Sequence, residues 1–186
     1  SLSFIKEFFK LVIAKTEKSV ELAKSSSGLY ATYFFHEVTE FEKLSKINGD
    51  GDAHIRPLNF KRHDLPLFLE GFVHGLRVEK NKKQAKALYN ELRRSSIYDK
   101  KLKMYKVNSD LSKETEEIGR ATVFPAGWLE NESIWMHMEY KILLELLRCG
   151  LYEEFYANFK NCLVPFLNPE KYGRSILENS SFIVSS

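Results

Sequence analysis

From Glu132 to Arg148 apolar side chains take up most of a helical circumference. At 100° per residue, Ile134, Met138, Ile142, Trp135, Leu146, Leu143, Met136, Leu147 and Leu144 sweep round the axis. The remaining wedge holds His137, Lys141, Glu145 and Arg148. A helix so widely apolar has to be packed on several sides, so the chain must wrap other elements around it. Gly150 stops it. Leu151 to Val164 reads as its partner helix, with Leu151, Phe155, Phe159 and Cys162 as the buried stripe and Pro165 as the end. The two make a helical hairpin, followed by a turn-rich link from Asn168 to Arg174.

The same pattern recurs upstream. Ser3 to Lys24 reads as a packing helix, with Ser3 as N-cap and Phe4, Ile5, Phe8, Phe9, Val12 and Ile13 at helical spacing. Leu65 to Glu79 buries Leu65, Phe68, Leu69, Phe72, Val73 and Leu76, and Gly71 and Gly75 permit close packing there. After Lys80-Asn-Lys, Gln84 to Arg94 forms a more polar helix, which closes a second α-hairpin. Between the helices, Leu29 to Leu44 is compatible with a short helix or a strand. Ile97 to Val107 alternates as an extended segment, and Ser109 to Arg120 reads as loop. With 186 residues and 44% hydrophobic composition, the expectation is one unit over 1–186. Its class is mainly α: helical hairpins with short extended segments in the loops.

Charge and cysteine content exclude several classes. A net charge of +3 with interspersed signs does not point to nucleic acid. Two cysteines, Cys149 and Cys162, are too few for a disulfide scaffold, so a reducing, cytoplasmic setting is expected. No apolar run is long enough to span a bilayer, so no membrane partner is expected. Asn48-Gly-Asp-Gly-Asp52 is not a calcium loop: with Asn48 as first ligand, the sixth position is Ala53 and the twelfth Asn59. It reads as a solvated turn. His54, His63 and Asp64 lack a further ligand at zinc spacing, so no metal is expected. The chain begins at Ser1 without a methionine and ends on the apolar run Ser181-Phe-Ile-Val-Ser-Ser186. It is therefore expected to be a piece of a longer polypeptide, inactive by itself, with the remainder of the parent chain as a partner. A homodimer is left open.

Two stretches concentrate chemistry. His36-Glu-Val-Thr-Glu-Phe-Glu42 sets Glu37, Glu40 and Glu42 among aromatics, where desolvation would raise a carboxyl pKa and make a general acid. Trp128-Leu-Glu-Asn-Glu-Ser-Ile-Trp-Met-His137 brings two indoles, two carboxylates, an amide and an imidazole to the start of the apolar helix. It has an internal echo: Leu129-Glu-Asn-Glu-Ser-Ile134 matches Leu177-Glu-Asn-Ser-Ser-Phe182. The separation is close to a helical-hairpin repeat, so the two are expected in equivalent loops at one end of adjacent hairpins.

Glu130-Asn-Glu-Ser-Ile-Trp-Met-His137 resembles the Glu-Asn-Gly-Gly-Ile-x-x-His segment of cellobiose phosphorylase-like enzymes. The order of elements downstream, as far as the Tyr172 to Glu178 link, is also similar. In this chain Glu132 and Ser133 stand where the family has paired glycines, and the family's Asp-Trp-Asn-Asp acid motif is missing. The resemblance implies part of an (α/α) toroid of helical hairpins. It further implies inverting phosphorolysis of a glycosidic bond, with inorganic phosphate as co-substrate, no cofactor, and an oligosaccharide as substrate. By position it makes Glu42, or less favourably Glu40, the catalytic acid. It makes Glu130, Asn131, Trp128, Trp135 and Glu178 substrate contacts and His137 the phosphate contact. A hydrolase on the same scaffold, or a non-catalytic helical domain that binds sugar or packs, are the alternatives.

Overall fold

The computed structural model describes residues 2–25, 28–172 and 182–183. Two compact units divide the chain: Ser1–Thr32 together with Pro66–Ser186, and Tyr33–Leu65.

The smaller unit overturns the expected fold class. Strand β1 (Phe34–Ile47) pairs antiparallel with β2 (Ala53–Asp64) in a long hairpin. The chain is therefore an α and β mixture, and a mainly helical toroid is not what it forms. The reason is local. Five of the eight residues from Phe34 to Phe41 are aromatic or β-branched besides His36 (Phe34, Phe35, Val38, Thr39 and Phe41), side chains that fit a pleated surface once a partner strand is present. Asn48 then closes the turn: its Oδ1 accepts from the Asp50 and Asp52 N–H groups at 3.0 and 2.8 Å, and its own N–H donates to the Asp52 carbonyl at 2.8 Å. The loop read as solvated turn is thus the hairpin's tip. Pro57 lies within β2 opposite Phe41, which two strands with free edges tolerate. Register shifts flank Glu40, so the face each side chain occupies changes along the hairpin.

In the larger unit, α1 (Leu2–Ala23) follows the expected span but buries none of its residues. The core belongs to α2 (Leu69–Val78), α3 (Lys82–Arg94), α4 (Met136–Arg148) and α5 (Tyr152–Cys162), with short α6 (Pro169–Tyr172) beyond. Two-stranded ladders link β3 (Tyr98–Asp99) to β4 (Met104–Tyr105), and β5 (Ile134–Trp135) to β6 (Phe182–Ile183).

Element starts shift for identifiable reasons. Leu65 precedes Pro66, which disfavours helical backbone there, and Phe68 instead bridges Asn108, so α2 begins at Leu69. Asn81 caps α3 through its side chain, which accepts from Lys83 N and Gln84 N, and brings the start forward to Lys82. The α4 helix cannot begin at Glu132, whose φ of 58° is left-handed. Ile134 and Trp135 are extended and pair with Ile183 and Phe182. The echo's second copy ends beside the first at this ladder; Leu177–Ser181, with Glu178, lie outside the described residues.

Two apolar clusters meet on α4. Met138, Ile142 and Leu146 join Leu69, Phe72 and Leu76 of α2 and Leu92 of α3. Met136 and Leu143 join Ile134, Met104 and Cys162. Each fully buried Leu or Ile contributes roughly 1.5–3 kcal/mol. Gly71 makes room for the segment after α1: a Cβ there would lie 2.5 Å from Thr32 Oγ1 and 2.7 Å from the Tyr30 carbonyl oxygen. A backbone oxygen cannot swing aside as a side chain can. Gly71→Ala is expected to destabilise the fold by about 1–3 kcal/mol, read as a lower denaturant midpoint at unchanged slope. An unchanged midpoint would mean that the Tyr30–Thr32 segment does not pack where it is placed.

Candidate functional site at the start of α4

The stretch from Gly119 to Trp135 is a corner built on backbone that side chains rarely adopt. Leu129 and Glu132 have φ of 46° and 58°. Left-handed conformations at non-glycine residues cost about 1–2 kcal/mol each and persist only where the surroundings impose them. Here buried amides impose them. Asn131 is fully buried; its Nδ2 donates to the Phe124 carbonyl at 2.9 Å, and its Oδ1 accepts from the Leu111 N–H at 3.1 Å. Asn108 is also buried, with Nδ2 donating to the Glu130 carbonyl at 2.6 Å and Oδ1 accepting from the Glu132 N–H at 2.7 Å. Lys106 and Glu132 form a half-buried ion pair at 2.5 Å. The Ser133 hydroxyl donates to the Leu129 carbonyl, closing the turn.

The side chains of the corner divide into exposed and committed groups. Trp128 is 45% exposed. The carboxylate of Glu130 receives Arg120 Nη2 on Oε1 at 2.5 Å, while its Oε2 is buried without a hydrogen-bond partner among the described residues. His137 is exposed in the first turn of α4, its ring 6.0 Å from that of Trp135. Trp135 is half-buried against the core, and its Nε1–H points to the Leu129 carbonyl and Ser133 Oγ at 3.2 and 2.8 Å. Trp128, Glu130, Trp135 and His137 thus share one corner. Asn131 lies beneath it and has no surface to offer a ligand.

Glu40 and Glu42 belong to the other unit. Glu42 is 44% exposed on β1, its Oε1 2.7 Å from Arg56 Nη1. Glu40 accepts from Asn59 Nδ2 at 2.9 Å. Glu37 lies 2.7 Å from His63 Nε2. Within this unit the aromatics do not enclose the carboxylates; Phe41 and Phe60 are themselves exposed.

Several buried polar groups escape a sequence reading, and three of them tie α4 and α5 into the core. Glu139 is one: burial pushes its carboxyl up from 4.5 to about 8, against the pull of the Tyr105 N–H that it accepts at 2.5 Å. Burial and this same carboxyl raise the Cys162 thiol. Asn158 is the second. It accepts from the Tyr105 hydroxyl and donates to the Tyr89 hydroxyl, each at 2.8 Å, and so ties α5 to β4 and α3. Glu145 is the third, placed by periodicity on the polar wedge of α4. Its side chain is 0% exposed and accepts from Arg77 Nε and Nη2 at 2.9 and 2.8 Å and from Arg148 Nη1 at 2.9 Å. Only the Glu–Arg spacing within α4 was visible in sequence; the partner on α2 was not.

Among the described residues, no group of three or more His, Cys, Asp or Glu could hold a metal ion. No helix there is long and apolar enough to cross a membrane. No family model matches the chain, and neither a curated protein nor a solved structure matches it.

The Glu139 carboxyl gives a pH test. Its folded value lies above the 4.5 of a free carboxyl, so the folded state keeps a proton that the unfolded chain releases. Its stabilising contribution is complete below pH 4.5 and is lost as pH rises to about 8. The protein should therefore lose a few kcal/mol of stability across that window. Glu139→Gln keeps an acceptor for Tyr105 and should flatten this part of the profile. Identical slopes for the two proteins in urea unfolding at stepped pH would show that Glu139 is not buried neutral.

Proposed function

We propose that this chain supplies an oligosaccharide-binding corner to a carbohydrate-active protein, and that the complete protein carries out inverting phosphorolysis of a glycosidic bond. One observation carries the reading. The first glycine of the resembled Glu-Asn-Gly-Gly-Ile segment falls at Glu132, and Glu132 has the left-handed backbone, φ 58°, that favours glycine. The sequence likeness and the backbone thus agree at a position where this chain departs from the motif.

The exposed groups suit a sugar. An indole such as that of Trp128 stacks on the apolar face of a pyranose. A carboxylate accepts from sugar hydroxyls, and the Glu130 side chain is 38% exposed at the corner. In phosphorolysis, phosphate oxygen attacks the anomeric carbon as the glycosidic bond breaks, and an acid protonates the departing oxygen. One carboxyl therefore suffices, where an inverting hydrolase needs a second as base. Phosphate requires cationic or N–H donors, and His137 stands exposed beside the corner for that role. The resemblance assigns the acid to Glu42, with Glu40 second; both lie in the smaller unit, where Glu42 pairs with Arg56.

The test is product analysis on the complete protein with glucose disaccharides of differing linkage. Sugar 1-phosphate released only when phosphate is added is the expected result. Free sugar released without phosphate would replace phosphorolysis with hydrolysis, and neither product would leave a binding or packing domain. His137→Ala should raise the phosphate KM at least roughly tenfold while leaving thermal unfolding unchanged, because the side chain is exposed. Unaltered phosphate kinetics in that variant would remove His137 from the site.

A further inference from the structure

Asn108 lies outside the stretch that the sequence singles out, yet it grips that stretch from below. Its one planar carboxamide spans Asn131, donating to the carbonyl before it at 2.6 Å and accepting from the N–H after it at 2.7 Å. The grip is itself anchored. Asn108 bridges Phe68, Ser109 N donates to the Leu67 carbonyl at 2.8 Å, and Val107 N donates to the Ser133 carbonyl at 2.7 Å. The corner is thereby referenced to the start of α2 through hydrogen bonds of fixed length. The Glu130 side chain leaves the backbone between two left-handed residues, Leu129 and Glu132. Without the carboxamide, the Glu130 carbonyl and the Glu132 N–H lose their partner, and the left-handed Glu132 loses one of the contacts that impose it.

We propose that Asn108 is the positioning residue of the corner, fixing where the Glu130 carboxylate stands and so how tightly a glucoside is held. This rests on the oligosaccharide reading above. Asn108 touches no substrate; it acts through the backbone of residues 130–132. Replacing it by alanine removes both hydrogen bonds, whereas Asn108→Asp keeps the acceptor for the Glu132 N–H and sets an oxygen against the Glu130 carbonyl in place of the donor. The two variants therefore separate the two halves of the grip.

The experiment measures binding of the same disaccharide panel to the complete protein by calorimetry, with near-UV circular dichroism establishing the folded fraction. Amide hydrogen exchange is followed at residues 130–133 and, for reference, within α4. For the folded fraction, Asn108→Ala should bind at least roughly tenfold more weakly than the parent, because small misplacements of a binding group are costly. Its Glu132 amide should exchange faster while α4 keeps its protection. In Asn108→Asp the Glu132 amide should stay protected although sugar affinity falls. A merely structural role would lower the folded fraction and leave the affinity of folded molecules unchanged, and that result overturns the proposal. If the parent protein binds no disaccharide, the functional reading fails by itself. The exchange data then decide the grip: unchanged exchange at Glu132 in Asn108→Ala overturns it, and faster exchange upholds it as a constraint on the corner.

Discussion

The burial of α4 on two sides is the constraint from which the rest of the larger unit follows. A helix with Met138, Ile142 and Leu146 on one face and Met136 and Leu143 on another cannot be satisfied by one neighbour. It takes α2 and α3 against the first face, and β4, β5 and α5 against the second. Polar groups then travel inward with it. Glu145 enters the core with Arg77 and Arg148 on the same oxygen, and Glu139 enters with a single backbone N–H. The two carboxyls resolve the cost of burial differently. Glu145 is held by two guanidinium groups, and the Glu139 carboxyl keeps its proton.

How α4 starts determines the surface chemistry. The preceding chain crosses two left-handed residues and one short strand before the helix can form. That path turns Trp128 and Glu130 outward and Asn131 inward. Polar residues adjacent in sequence therefore serve opposite purposes: Glu130 is partly exposed and paired with Arg120, and Asn131 holds the loop from within. The strain lies where indole, carboxylate and imidazole side chains gather, and buried amides from residues 108 and 131 sustain it.

Much of the helical part was legible beforehand. The apolar periodicity of α2, α4 and α5 marks elements that form within a few residues of the expected bounds, because burial of one stripe is a local pattern with a global consequence. The boundaries moved where backbone chemistry overrode periodicity, at Pro66, Asn81 and Glu132. The hairpin from Phe34 to Asp64 was not legible. Its first strand fits either period over a short window, and its second is broken by Pro57 and carries mixed charge. Strand pairing is a relation between segments, and a single segment does not display it. That is why a mainly helical class was expected and a mixed one is found. Among the site residues, Trp128, Glu130 and His137 were visible as an unusual local concentration. Asn108 was not, because its significance lies in reaching residues 22 and 24 positions away.

By itself, the sequence determined that α1 to α5 are helical, that α4 is packed on more than one side, where the Asn48–Asp52 turn falls, and which residues gather at the start of α4. These depend on side chains close together along the chain, so periodicity and turn chemistry express them directly. Only the tertiary structure decided that β1 and β2 pair, that Glu139 is buried beside Tyr105, that Glu145 meets Arg77, and that Asn108 grips the corner. Each of these is a hydrogen bond or an ion pair between residues far apart in sequence. Such a contact exists only once the folded backbone has brought its two groups to within about 3 Å.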